Sequence, residues 1–214
     1  MPNTNRRNLL AMFGLAPDDP PTRDSQKRKW LDISPRERIR QRYFPDIELI
    51  THEGRRVRFY QDLIKDKLVV INFMYADCEG VCPTIMMNLA RVHKALGNRM
   101  GKDIFIYSLT LRPEKDTPKV LSEYASMHGV KPGWLLLTGK PDDIESIRRR
   151  LGFVDPDPKL DRDRSNHIGN LRYGNEPLTR WGTCPGMADA DFIVKSILWL
   201  DWPEEERSKK GGQK

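Results

Sequence analysis

Apolar runs alternate with amphipathic stretches through the middle of the chain. Residues 67–75, KLVVINFMY, are almost continuously apolar over a strand's length, the pattern of a strand buried on both faces. Ile85, Leu89, Val92 and Leu96 then recur at helical spacing and predict a helix from about Pro83 to Leu96. DIFIYSLTL (103–111) reads as a second buried strand and WLLLTG (134–139) as a third. A helix is expected between them from about Thr117, where Thr117-Pro118 supplies a cap and a first-turn proline, to His128, with Gly129 as the stop. A further helix is expected from Asp142 to Leu151.

The flanks complete the layout. Ser34 opens a short helix, with Pro35 in its first turn and Glu37 closing an S-x-x-E capping box. DIELITHEGRRVRFY (46–60) predicts a hairpin around Glu53-Gly54. After the third core helix comes a long polar loop, DPDPKLDRDRSN. HIGNLRYGNEPLTRW (167–181) predicts two short strands around a Gly174-Asn175 turn, and a last helix covers about Ala188 to Leu200. The sum is an α/β chain: a central mixed β-sheet flanked by helices, with an N-terminal hairpin extension. The expected organisation is a signal-like or linker segment at 1–33, one domain at 34–203 and a charged tail at 204–214.

Composition narrows the function classes. A length of 214 residues suits one well-cored domain with a tail. The net charge of +7 is spread among interleaved acids and bases, without a basic stripe or a recognition motif, so nucleic acid is not an expected partner. No stretch approaches the ~20 apolar residues of a transmembrane helix. NRRNLLAMFGLAP (5–17) is similar to a twin-arginine export signal with a small-x-small cleavage site ending at Ala16, which predicts a periplasmic protein. A short amphipathic segment on a cytoplasmic protein is the alternative.

Three cysteines are too few for a disulfide scaffold. Two of them, Cys78 and Cys82, sit where the first buried strand hands over to a helix, an edge at which β/α sheets bind ligands. Helix N-terminal amides favour a thiolate there, whereas Asp77 and Glu79 oppose one. The pair could form a disulfide, exchange electrons as a dithiol, or clamp a soft metal such as Cu(I) or zinc. An iron–sulfur cluster usually takes four cysteines. A metal would need further ligands, and four histidines are available. His52 falls in a hairpin turn as a solvated residue, and His93 and His128 fall on helices with structural roles. His167 opens the strand HIGNL after the polar loop, at a junction that can face the cysteine turn. Cys184 reads as a partly buried free thiol near the last helix, with a redox partner or auxiliary ligand as the alternative. Met86 and Met87 read as packing residues, with thioether ligation of Cu(I) as the alternative.

In order along the chain, INFMYADCEGVCPTIMMNL, LRPEKDTPKVLSEYA, GWLLLTGKPDDIESI and SNHIGN together resemble the Sco/SenC family of copper proteins. The resemblance covers about residues 45–200. It rests on a C-x-x-x-C-P motif, a P-E-x-D-T-P segment after the next strand and one late histidine. It implies a thioredoxin-like fold and copper, as Cu(I), Cu(II) or both, held by Cys78, Cys82 and His167. It also implies a metallochaperone-like function: delivering copper to, or preparing the thiols of, a partner cuproprotein such as the copper site on cytochrome c oxidase subunit II. The family often has aspartate where Asn166 stands, so the charge beside the histidine is missing here. The alternative function is a thiol–disulfide oxidoreductase with Cys78 and Cys82 as its redox dithiol. Beyond possible thiol–disulfide exchange, no enzyme class follows.

Overall fold

A computed structural model describes residues 33–163 and 169–201. From Pro35 onward the described residues form one compact unit, and only Ile33 and Ser34 of the preceding unit are described. The elements are α1 (Pro35–Tyr43), β1 (Glu48–Thr51), β2 (Arg56–Arg58), a π-helical turn (Phe59–Ile64), β3 (Leu68–Met74), α2 (Cys82–Leu96) and β4 (Ile104–Thr110). They continue with α3 (Pro118–Met127), β5 (Trp134–Thr138), α4 (Pro141–Arg150), α5 (Pro158–Arg162), β6 (Asn170–Asn175), β7 (Arg180–Pro185) and α6 (Ala190–Trp199).

One seven-stranded sheet runs in the order β2-β1-β5-β4-β3-β6-β7. β3, β4 and β5 are parallel, in a register that starts at Leu68↔Ile104 and Ile106↔Trp134. β6 joins β3 antiparallel, and β1 joins β5 antiparallel through Ile50↔Thr138, so the N-terminal hairpin lengthens the sheet at its far edge. Every residue of β3 is buried, as its unbroken apolar run requires of a strand covered on both faces. The predicted helix punctuation is present. The Thr117 hydroxyl accepts from the Val120 amide at the start of α3, and Gly129 ends that helix at φ 65°.

Two local expectations are corrected. The Gly174-Asn175 pair closes β6, and the turn is made by the next residues, with Thr179 at φ 55° and Asn175 Oδ1 accepting from the Leu178 amide. Packing explains the displacement. Gly174 pairs with Trp181 and Tyr173 with Gly182 across the hairpin. A Cβ on Gly174 would come within 2.0 Å of the Trp181 ring, and one on Gly182 within 2.7 Å of the Tyr173 ring. Both glycines make room for an aromatic on the partner strand, which a strand interior can require as readily as a turn can. The polar loop, in turn, contains α5, capped by Asp157, whose carboxylate accepts from the Lys159 amide. Asp161 of α5 binds Arg148, a guanidinium only 3% exposed that also holds Glu145. A buried cation with two carboxylates ties this loop to α4.

Candidate metal centre

β3 ends at Met74, and residues 75–81 turn the chain into α2, which begins at Cys82 with Pro83 in its first turn. Cys78 is 7% exposed and Cys82 1%, and both are free thiols. The two thiols interact, and the Cys82 thiol, the Tyr75 hydroxyl and the amides of Gly80 and Cys82 all favour a thiolate at Cys78. The two sulfurs are tuned in opposite directions. Burial pushes Cys78 up, but these donors outweigh it and hold the thiol below its ordinary value. Cys82 is pushed up to about 12, first by burial and then by its bond to Cys78. The pair thus loses its first proton from Cys78 while Cys82 keeps one to donate.

The turn is clamped by the segment after β4. Asp116, 2% exposed, accepts from the Ala76 amide at 3.2 Å and from the Thr110 hydroxyl through the same oxygen, Oδ2. Thr110 Oγ1 in turn accepts from the Arg112 amide at 2.9 Å. Arg112 Nη1 reaches both carboxylate oxygens of Asp77 at 2.8 and 2.9 Å, and its guanidinium carbon lies 4.0 Å from the centre of the Tyr75 ring. Lys115 stands 3.6 Å from Asp77. Asp77, expected from the sequence to oppose a thiolate at Cys78, therefore spends its charge on two cations. Tyr75, Arg112 and Asp116 were not singled out from the sequence. The P-E-x-D-T-P segment held the signal for Asp116, since an acid inside an otherwise capping-type segment needs a buried donor to justify it.

Of the predicted ligands, the structure brings Cys78 and Cys82 together. His167 lies within 164–168, outside the described residues. Among the described residues no group of three or more His, Cys, Asp and Glu is placed to hold a metal ion. His52 departs from the solvated reading: it is half-buried, its Nδ1 accepts from the Leu136 amide at 3.2 Å, and burial holds its pKa below the ordinary value. His93 Nε2 lies 2.9 Å from the Pro132 carbonyl, and the His128 ring lies 4.2 Å from that of Tyr124. Cys184, on β7 opposite Leu171, is 3% exposed, and burial pushes it up to about 11. Met86 is fully buried in the core and Met87 is 54% exposed.

The donor chemistry fits a soft metal: two contacting sulfurs, one poised to ionise, at the start of a helix. One orphaned group adds to this. The Tyr124 hydroxyl is buried without a hydrogen-bond partner among the described residues. Its pKa is raised by burial and then by both cysteines, which places it close enough to feel either thiolate.

The SCO1/SenC family model matches residues 35–168. A SCO2-like protein of Rickettsia felis is 30% identical over 128 residues, 56% of this chain and 60% of the relative. The chain spans roughly three fifths of the length of such curated relatives. Among solved structures, yeast Sco1 with copper bound superposes with a TM-score of 0.57 at 20% identity, covering 76% of this chain and 98% of that one. BsSco, described as a member of the Sco family of cytochrome c oxidase assembly proteins and as carrying a disulfide switch, gives 0.56 at 20%, covering 72% and 90%. The mixed sheet with its flanking helices is thus the thioredoxin-like fold that the resemblance implied. No helix among the described residues is long and apolar enough to cross a membrane. The export-signal reading of residues 5–17 lies outside the described residues.

Proposed function

Because the chain belongs to the SCO1/SenC family, we propose that it binds copper through Cys78, Cys82 and His167 and passes it to a partner cuproprotein, with the copper site of cytochrome c oxidase as the recipient. The observation that carries this reading is the contact between two oppositely tuned thiols on a turn held from outside by Asp116 and Arg112. Copper is the cargo. Two sulfurs and one imidazole suit Cu(I), tolerate Cu(II) and leave a coordination position open to a ligand of the recipient. The copper-bound yeast relative and the oxidase-assembly description of BsSco support the assignment. Export to the periplasm, after cleavage at Ala16, belongs to the same reading; N-terminal sequencing of protein from intact cells tests it.

The opposite tuning of the sulfurs also favours a second reading, reduction of the recipient's cysteines before metal arrives. The Cys78 thiolate attacks a partner disulfide, forming a mixed disulfide and releasing one partner thiolate. Cys82 then gives up its proton and attacks the Cys78 sulfur. The second partner thiol is released, Cys78–Cys82 becomes a disulfide, and two electrons have passed to the partner.

Competition titration of the reduced protein with Cu(I) against a chromophoric chelator separates these readings. Wild type should bind one equivalent, and Cys78→Ala, Cys82→Ala and His167→Ala should each lose at least about tenfold in affinity. An unchanged affinity in His167→Ala removes the three-ligand site. Disulfide reductase activity surviving in that variant then leaves the dithiol reading standing alone.

A further inference from the structure

A cavity of about 380 Å³ lies between α1, the C-terminal end of α4 and the β6–β7 hairpin, and shares no residue with the cysteine turn. Tyr43, Phe44 and Trp181 give it aromatic walls, with the Phe44 and Trp181 rings 4.6 Å apart, while Arg150 and Arg172 bring it two guanidinium groups. Among the described residues no carboxylate lines it.

Arg172 is half-buried and Arg150 exposed, and their partners differ from those of other arginines in the molecule. Arg36, Arg99 and Arg148 each hold two carboxylates. The Arg150 guanidinium instead donates to the Gln41 and Arg42 carbonyls, both at 3.1 Å, and Arg172 Nη2 to the Leu151 carbonyl at 2.6 Å. Neither forms an ion pair among the described residues. Two N–H donors, Arg172 Nε and Trp181 Nε1, are moreover buried without a hydrogen-bond partner among the described residues. A partly desolvated cation without a counter-charge is unfavourable, and so is an orphaned donor. Burial lowers the Arg172 pKa accordingly. An anion in the cavity would offset both, and the aromatic walls would accept an apolar body attached to it.

We propose that this cavity is a binding site for a small organic carboxylate with an aromatic body, the carboxylate meeting Arg172 and Arg150 and the ring lying against Tyr43, Phe44 and Trp181. The volume falls at the small end of the ~300–1,000 Å³ typical of ligand pockets, which suits a single ring with a short acid arm. Neither Cys78 nor Cys82 lines the cavity.

The test uses the full, reduced, copper-free chain labelled with nitrogen-15. The Trp181 indole N–H and the Arg172 Nε–H are assigned with Trp181→Phe and Arg172→Lys, and the protein is titrated with benzoate, benzamide and acetate. Benzoate should shift both resonances saturably and bind at least about tenfold more tightly than benzamide, which lacks the charge, or acetate, which lacks the ring. Arg150→Gln, a change at an exposed side chain, should weaken benzoate by about tenfold while leaving the spectrum of the rest of the protein in place. Three outcomes overturn the proposal: no shift with benzoate up to ~10 mM, far weaker than a selective fragment binds; equal binding of benzamide; or equal binding of acetate.

Discussion

Cys184 and the Cys78–Cys82 turn are about equally buried, at 3%, 7% and 1% exposure, yet their chemistry diverges. At Cys184 burial acts alone and pushes the thiol up to about 11. At Cys78 the same desolvation is overridden by two amides, a hydroxyl and a second thiol. The backbone explains the difference. Cys184 lies inside a strand paired with β6, where the backbone amides lie in the plane of the sheet and the side chain stands out of it, away from them. Cys78 lies just past the end of β3 and before α2, where the first helical amides have no intrahelical partner and are free to meet a sulfur. Burial makes a cysteine inert; burial at a strand-to-helix junction makes it a site.

The largest contrast to test is thiol reactivity. With Cys78 held below its ordinary value and Cys184 pushed up to about 11, Cys78 carries much the larger thiolate fraction at pH 7. The greater nucleophilicity of the more basic thiolate returns only part of that difference. Iodoacetamide followed by peptide mass spectrometry should therefore label Cys78 at least about tenfold faster than Cys184. The sign with pH follows: the Cys78 rate rises with pH and levels off below the value for a free thiol, whereas the Cys184 rate is still rising toward pH 11. Equal rates would erase the comparison.

A smaller effect should come from the clamp. Asp116→Ala strands the Ala76 amide and the Thr110 hydroxyl and should destabilise the protein by about 1.5 kcal/mol in urea unfolding. It should also slow Cys78 labelling, because the turn loses its anchor. Asp116→Asn, which keeps an acceptor, should recover most of the stability. Smaller again, Cys184→Ser buries a hydroxyl in place of a thiol and should cost about 1 kcal/mol while leaving Cys78 labelling unchanged. A change at Cys78 would couple the two regions and break the contrast.

Much of this was legible before any coordinates. The unbroken run at β3 declared a strand buried on both faces, and Thr117-Pro118 and Gly129 declared a helix by the groups they leave to cap. The Cys78–Cys82 pair was legible because two soft donors at a strand-to-helix junction are chemically conspicuous. Gly174 misled because a glycine states only that a Cβ is unwelcome. Whether a turn or the Trp181 ring forbids it depends on a partner strand that local patterning does not contain. Arg112 was illegible for the same kind of reason. Its roles, pairing with Asp77 and lying over Tyr75, join positions 35 and 37 residues apart that only the parallel β3–β4 register brings side by side.

The finest test of the comparison is Tyr75. Its hydroxyl is the one donor to Cys78 that a side-chain change removes without touching a sulfur or the backbone, and the ring beneath Arg112 stays in place in phenylalanine. Tyr75→Phe should therefore cost only about 0.5 kcal/mol in unfolding, the low end for a single hydrogen bond. Its signature lies in the pH profile of Cys78 labelling, which should move to higher pH because one of the groups opposing desolvation has gone. Cys184 labelling, governed by burial alone, should not move. A stability loss with no shift in the Cys78 profile would make Tyr75 a packing residue and leave the amides of Gly80 and Cys82, with the Cys82 thiol, to distinguish the site from the core.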